Sequence, residues 1–249
     1  MKKLSISVLL ILFLQIILYP QSNLDECTIG AASASSTPDG RPLIWKTRDN
    51  SSAPNNEVKY ITSFNIHYIC VTNAGYSNIP WMGVNEYGFA ILNSLTYDLT
   101  GGSGPGNGTV MRYALGNCVT IDDFQDYLDS TNITGRNTRA NFAVIDSNSN
   151  AAIFEVGGNE YWKFNAEDEP DGYIIRTNFT VNGSGSTGIQ RYNRSSALIS
   201  DFYAGDSLHY RSLLRHQMRD FSDNASQPYP VPLLEKLYPW ANWGYFPTN

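Results

Sequence analysis

Cys27, Lys46 and Asp49 are the first residues along the chain that could share a reaction. They lie in C-T-I-G-A-A-S-A-S-S-T-P-D-G-R-P-L-I-W-K-T-R-D, residues 27–49, which reads as two short strands joined at Pro38-Asp39-Gly40. Antiparallel pairing about that turn brings Cys27 to the Lys46–Asp49 end, so a thiol, an ammonium and a carboxylate meet at one end of a sheet. Cys27 also follows closely on a leader that export would remove, which makes it a candidate chain terminus. An N-terminal cysteine carries its own general base, because its α-amino group titrates at about pH 7.7–8.0 beside the thiol. The thiolate can attack an amide carbonyl, and water can then hydrolyse the thioester. Such a site needs donors for the oxyanion and a group that holds the amine. Asparagine side chains suit the first task and Asp49 suits the second.

Other chemistries find less support. His67, His209 and His216 are scattered, with no spacing that assembles a metal site and no papain-like signature around a cysteine. No G-x-S-x-G occurs, which disfavours a serine nucleophile elbow. Cys70 and Cys118 either pair or stay as buried thiols, and an odd cysteine is left over in both cases. A lipid-modified Cys27 is rejected: Leu24-Asp25-Glu26 precede it, and the apolar run ends at Tyr19.

The elements that must position these residues are mostly strands. Lys2 and Lys3, then an apolar run from Val8 to Tyr19 broken only by Gln15, form a secretory signal too short to span a bilayer. The expected organisation is a signal over 1–22, a short propeptide over 23–26 and one domain over 27–249. Seven N-x-S/T sequons, among them Asn178-Phe-Thr, would matter only in a eukaryotic secretory pathway. A net charge of −6 gives no electrostatic footprint for nucleic acid. Residues 57–72 read as one long strand or two, and 81–95 as a hairpin in which Asn85 is a turn residue. Residues 101–108 (G-G-S-G-P-G-N-G) read as a loop. Helices are expected over 110–117 and 121–130, the second with Thr120 and Asp123 as a capping box. A meander over 140–164 and a strand over 172–177 follow, then helical periodicity over 190–203 and 208–221. The tail from Pro228 is rich in Pro, Trp and Tyr. Alternating blocks of strands and helices make this an α+β layered domain.

Three segments resemble the N-terminal-nucleophile (Ntn) hydrolases of the linear amide type, the group of penicillin V acylases, choloylglycine (conjugated bile acid) hydrolases and isopenicillin-N acyltransferases. They are the Cys27–Asp49 hairpin, G-V-N-E-Y-G-F-A-I-L-N at 83–93, and R-T-N at 176–178. The resemblance implies a four-layer αββα sandwich of two antiparallel sheets between helical layers. It implies Cys27 as nucleophile and base, Asp49 on its amine, and Asn178 and Asn93 as oxyanion donors. Lys46 stands where bile acid hydrolases have an arginine. The family's late-strand arginine has no counterpart before Asn249, and Arg191 and Arg194, in the helix after Asn178, look like poor substitutes. That implies a domain lacking its last strands. Pocket residues are expected from 61–69, 96–108 and the segment after Asn178. The implied activity is cleavage of a linear amide in an acylated small molecule, outside the cell or in a periplasmic or lysosome-like lumen. No cofactor, no metal, no nucleic acid and no stable membrane anchor after signal removal are expected, and oligomers remain open. The alternatives are a catalytically impaired binding or surface protein on the same fold, and a ceramidase- or phospholipase-B-like lipid amidase.

Overall fold

The computed structural model describes residues 26–49, 55–75, 79–203 and 208–217. The signal, the propeptide before Glu26, the expected helix beyond 217 and the tail from Pro228 lie outside these residues, as does the side chain of Asp49.

Two antiparallel sheets form the middle of the molecule. The smaller runs in the order β10 (Tyr173–Arg176), β1 (Glu26–Ala32), β2 (Leu43–Asp49). The larger is a meander of β3 (Asn56–Ile61), β4 (Tyr68–Asn73), β5 (Pro80–Asn85), β6 (Ala90–Leu95), β7 (Ala140–Ile145), β8 (Ala151–Val156) and β9 (Tyr161–Asn165). Period-2 alternation sorts the side chains onto the faces. On β7, Phe142 and Val144 pack with α1 (Asn107–Asn117) and α2 (Ile121–Thr134), while Ala143 meets Ile29, Ala31 and Ile174 of the smaller sheet. On the far side Ala32, Trp45 and Ile175 pack under α3 (Ile189–Phe202) and a short helix, Tyr210–Ser212, that continues as a π turn to Gln217. The order helix, sheet, sheet, helix is the expected four-layer sandwich.

Local signals explain the joints. The residue 57–72 segment is two strands, broken at 62–67. Thr120 and Asp123 form the expected capping box of α2. Helix α1 starts earlier than expected and takes in Asn107 and Gly108, because Asn107 accepts from the Arg139 N–H at 3.1 Å and donates to the Arg139 carbonyl at 3.3 Å. Asn85 is more than a turn residue. Its Oδ1 accepts from the N–H groups of Tyr87 and Phe89, while its Nδ2 donates to the carbonyls of Leu115 and Cys118. One side chain therefore closes the β5–β6 hairpin and satisfies the orphan carbonyls at the end of α1. Gly83 belongs to the same joint, since a Cβ there would lie 2.7 Å from the Leu115 methyl.

Candidate active site

The hairpin register sets the first half of the site. Cys27 pairs with Arg48 and Ile29 with Lys46, so the thiol and the ammonium share the end of the sheet as the turn required. Asp49 closes β2 opposite Glu26. Cys27 is 5% exposed and lines a cleft of about 280 Å³ together with Lys46, Arg48, Trp81, Asn93 and Arg139. Of the stretches expected to line it, Asn107 and Gly108 do so; among the described residues 61–69 are not part of the lining and nothing after Asn178 is.

Lys46 is buried, and its Nζ donates both to the Asn93 carbonyl and, at 3.1 Å, to Asn93 Oδ1. With Oδ1 turned to a cation, the Asn93 amide end is fixed as Nδ2 toward the cleft. No hydrogen bond occupies Nδ2 among the described residues.

Asn178 completes the site from the strand next to β1. Its Oδ1 accepts from the Cys27 backbone N–H at 2.9 Å, and its Nδ2 donates to the Leu95 carbonyl at 2.7 Å. The side chain therefore accepts from the nitrogen of Cys27; the same task expected of Asp49 falls on a side chain outside the described residues. Asn178 is fully buried, which leaves no room for a glycan in the folded protein. Its backbone is clamped on both sides: Asn141 Nδ2 donates to the carbonyls of Thr177 and Phe179, and the Tyr97 N–H donates to that of Asn178. A buried Arg176–Glu155 pair at 2.6 Å anchors the strand two residues before Asn178, and the same carboxylate accepts from the Val181 N–H.

Arg191 is a correction. The sequence reading set it aside, yet its Nη1 donates to the Cys27 carbonyl at 2.6 Å and its Nη2 to Asn178 Oδ1 at 2.7 Å. Two donors on one oxygen also fix which end of the Asn178 carboxamide is which. Gly188, with φ +83°, caps α3 and makes room: a Cβ there would lie 2.6 Å from Arg191 Nη2. The signal was present as G-x-x-R opening a helix straight after the Asn178 loop. Arg194 does not line the cleft.

Cys70 and Cys118 are free, buried thiols rather than a disulfide. Burial raises the pKa of both, that of Cys118 to about 12. Cys27 is the cysteine that faces the cleft. Among the described residues no group of three or more His, Cys, Asp or Glu could hold a metal ion, and no helix is long and apolar enough to cross a membrane.

A layered αββα domain with a cysteine opening its first strand, at the seam between the sheets, is the architecture of the linear-amide Ntn hydrolases. The chain belongs to the acyl-coenzyme A:6-aminopenicillanic acid acyl-transferase family, whose model matches residues 35–239. Among solved structures it is similar to a mutant conjugated bile acid hydrolase from Clostridium perfringens, at 13% identity and a TM-score of 0.45 over 69% of this chain and 58% of that one. Penicillin V acylase from Agrobacterium tumefaciens matches at 14% identity and a TM-score of 0.36, over 68% of this chain and 48% of that one. The Caenorhabditis elegans ortholog of N-acylethanolamine-hydrolyzing acid amidase matches at 14% identity and a TM-score of 0.49, over 76% and 84%. The chain thus spans about half the length of the first two. No curated protein matches it.

Proposed function

We propose that the protein is an exported hydrolase or acyltransferase that cleaves a linear amide bond of an acylated small molecule through Cys27. The observation that carries this reading is the grip of Asn178 and Arg191 on the backbone of Cys27 at the mouth of a cleft. A hydrogen bond to a backbone nitrogen inside a strand is ordinary; one reinforced by a guanidinium and facing a thiol-lined cleft suits a nitrogen that becomes an α-amine.

Maturation begins when the Cys27 thiol attacks the carbonyl carbon of Glu26. The Glu26–Cys27 C–N bond breaks, the nitrogen takes up the thiol proton, and water hydrolyses the resulting thioester. In turnover the α-amine takes the Sγ proton and the thiolate attacks the substrate carbonyl. Asn93 Nδ2 donates to the oxyanion. The ammonium returns its proton to the leaving amine, and water or a second amine then takes the acyl group from sulfur. Asn178 Oδ1 accepts one amine N–H, which aims the nitrogen lone pair at the thiol. The Arg191 cation beside the same oxygen favours the neutral, basic amine. A cleft of about 280 Å³ with Trp81, Ile79 and Leu95 on its walls fits a small apolar acyl group.

Intact-mass analysis and N-terminal sequencing of the full chain after expression test the reading, with turnover of penicillin V and other acyl amides beside them. The expected mature terminus is Cys27, and Cys27→Ala stays uncleaved at that bond and inactive. An active protein with a stable terminus at Ser22 or Asn23 overturns the mechanism.

A further inference from the structure

The cleft at Cys27 collects cations and no acid. Lys46, Arg48 and Arg139 stand on its walls, and no Asp or Glu does among the described residues. The chain as a whole carries a net charge of −6, so this excess of positive charge is local. A concave, partly apolar surface focuses the field of such a group and draws anions toward it.

The three cations differ in what already holds them. Lys46 is bonded to Asn93. Arg48 has its Cζ 4.5 Å from the centre of the Trp81 ring and donates from Nη1 to Asn56 Oδ1 at 2.9 Å. Arg139 is exposed, with its Cζ 6.0 Å from the centre of the Tyr97 ring, and among the described residues its guanidinium makes no hydrogen bond or ion pair. Other arginines of the domain are absorbed by the fold. Arg136 is fully buried and donates to oxygens of Leu128, Thr131 and Gly157, Arg176 pairs with Glu155, and Arg191 grips Cys27 and Asn178.

The mount of Arg139 is stiff although its head is open. Asn107 bonds both its N–H and its carbonyl, and the Thr96 N–H donates to the same carbonyl at 3.2 Å. The neighbouring Thr138 hydroxyl donates to the Pro105 carbonyl at 2.8 Å. The backbone of residue 139 is therefore pinned where β6, β7 and the start of α1 meet. A planar fork on a fixed base suits a carboxylate, which takes two parallel N–H donors.

We propose that Arg139 selects the substrate by binding a carboxylate carried by the acylated molecule, with Arg48 adding charge from the β2 side of the cleft. The inference rests on the amide-cleaving reading of this cleft and narrows it to acyl amides with an ionised end. An amide whose two halves are both neutral leaves the Arg139 fork unanswered.

Calorimetry on the full chain tests the site without turnover. The probes are the ketone analogue of phenylacetylglycine, with a methylene in place of the amide nitrogen, and the neutral primary amide of that keto acid. The acid is expected to bind about tenfold more tightly or better, and the preference shrinks as salt rises. Arg139→Gln brings the two probes to similar affinity and leaves the amide probe's own Kd unchanged; a merely structural role would weaken both. The Asn107 and Thr96 bonds run to backbone atoms, so this variant keeps them. Equal affinities in the wild type, no binding of the acid, or an undiminished preference in Arg139→Gln overturns the proposal. Turnover then shows which half of the substrate carries the charge. Phenylacetylglycine against phenylacetylglycinamide reads the amine half, and glutaryl p-nitroanilide against the p-nitroanilide of glutaramic acid reads the acyl half. A higher kcat/KM for the acid in either pair, lost in Arg139→Gln, supports selection; turnover with no preference in both pairs overturns it. Acid-selective binding without turnover of any amide leaves the anion site standing and sinks the amide-cleaving reading instead.

Discussion

The nitrogen of Cys27 and the carboxamide oxygen of Asn178 lie 2.9 Å apart across 151 residues of sequence. Asn178→Ala removes the acceptor and leaves a buried N–H without a partner, at a cost of about 1–3 kcal/mol. For a chain of this size that lowers Tm by roughly 2–4 °C per kcal/mol. The larger effect falls on chemistry. Intact mass is expected to show the Glu26–Cys27 bond uncut in this variant, whereas cleavage at the wild-type rate would detach Asn178 from the mechanism.

Arg191 and Gly188 form one device. Arg191→Met loses both charge-assisted hydrogen bonds, and kcat/KM for amide cleavage is expected to drop by about 100-fold or more. Arg191→Lys recovers part of it, because an ammonium cannot present the planar fork that reaches two oxygens. Gly188→Ala should resemble Arg191→Met in rate, since its Cβ collides with the guanidinium and its φ is +83°. Wild-type rates in Gly188→Ala would show that the fork tolerates displacement.

The three cysteines should react in a fixed order. Burial holds the Cys70 and Cys118 thiols well above neutral titration. Thiolate is the species that alkylates. Iodoacetamide at pH 8 is expected to label Cys27 first, and the other two only after denaturation, as read by peptide mass mapping. Labelling of Cys118 in the native protein would contradict the packing of α1.

Helix α2 supplies a pH dependence with a definite sign. Burial raises the Asp123 pKa, but hydrogen bonds from the Val119 and Thr120 N–H groups and the Thr120 hydroxyl outweigh it, and the net shift is downward. A lowered carboxyl pKa contributes stability above its unfolded value, near 3.8, that is lost as pH falls through the folded value. Thr120→Ala is expected to cost about 1 kcal/mol at pH 7. The cost of Asp123→Asn should be visible at pH 7 and vanish near pH 2, measured by urea denaturation. A pH-independent cost would assign the effect to shape rather than charge.

The sequence carried the sheets well and the site in part. Alternation and turn chemistry placed the Cys27–Asp49 hairpin and the β5–β6 hairpin, because those signals are local. Lys46 was legible from the hairpin, and Asn93 and Asn178 from the resemblance of their segments to a known family. What Asn178 does was not, since its two ends are chosen by Cys27 and Leu95, far away in sequence. Arg191 was discounted for a similar reason. Its helix follows a Gly/Ser loop, and only the tertiary path of that loop, tied by Asp98 to Thr180 and Gly185, aims it back at Cys27. Asn85 read as a turn residue because the helix end it satisfies lies 30 residues downstream.

Lys46 on one sheet bonds to Asn93 on the other, and Asn178 next to β10 bonds to Leu95 on β6. If amide cleavage runs as proposed, the spacing of the two sheets is a coordinate of the reaction as well as of the fold. Hydrostatic pressure acts on such a coordinate directly, because it squeezes out the small voids between packed layers before it breaks backbone ladders. An enzyme assembled across this seam would fall silent under compression while its circular dichroism still reported intact strands, and it would recover on release.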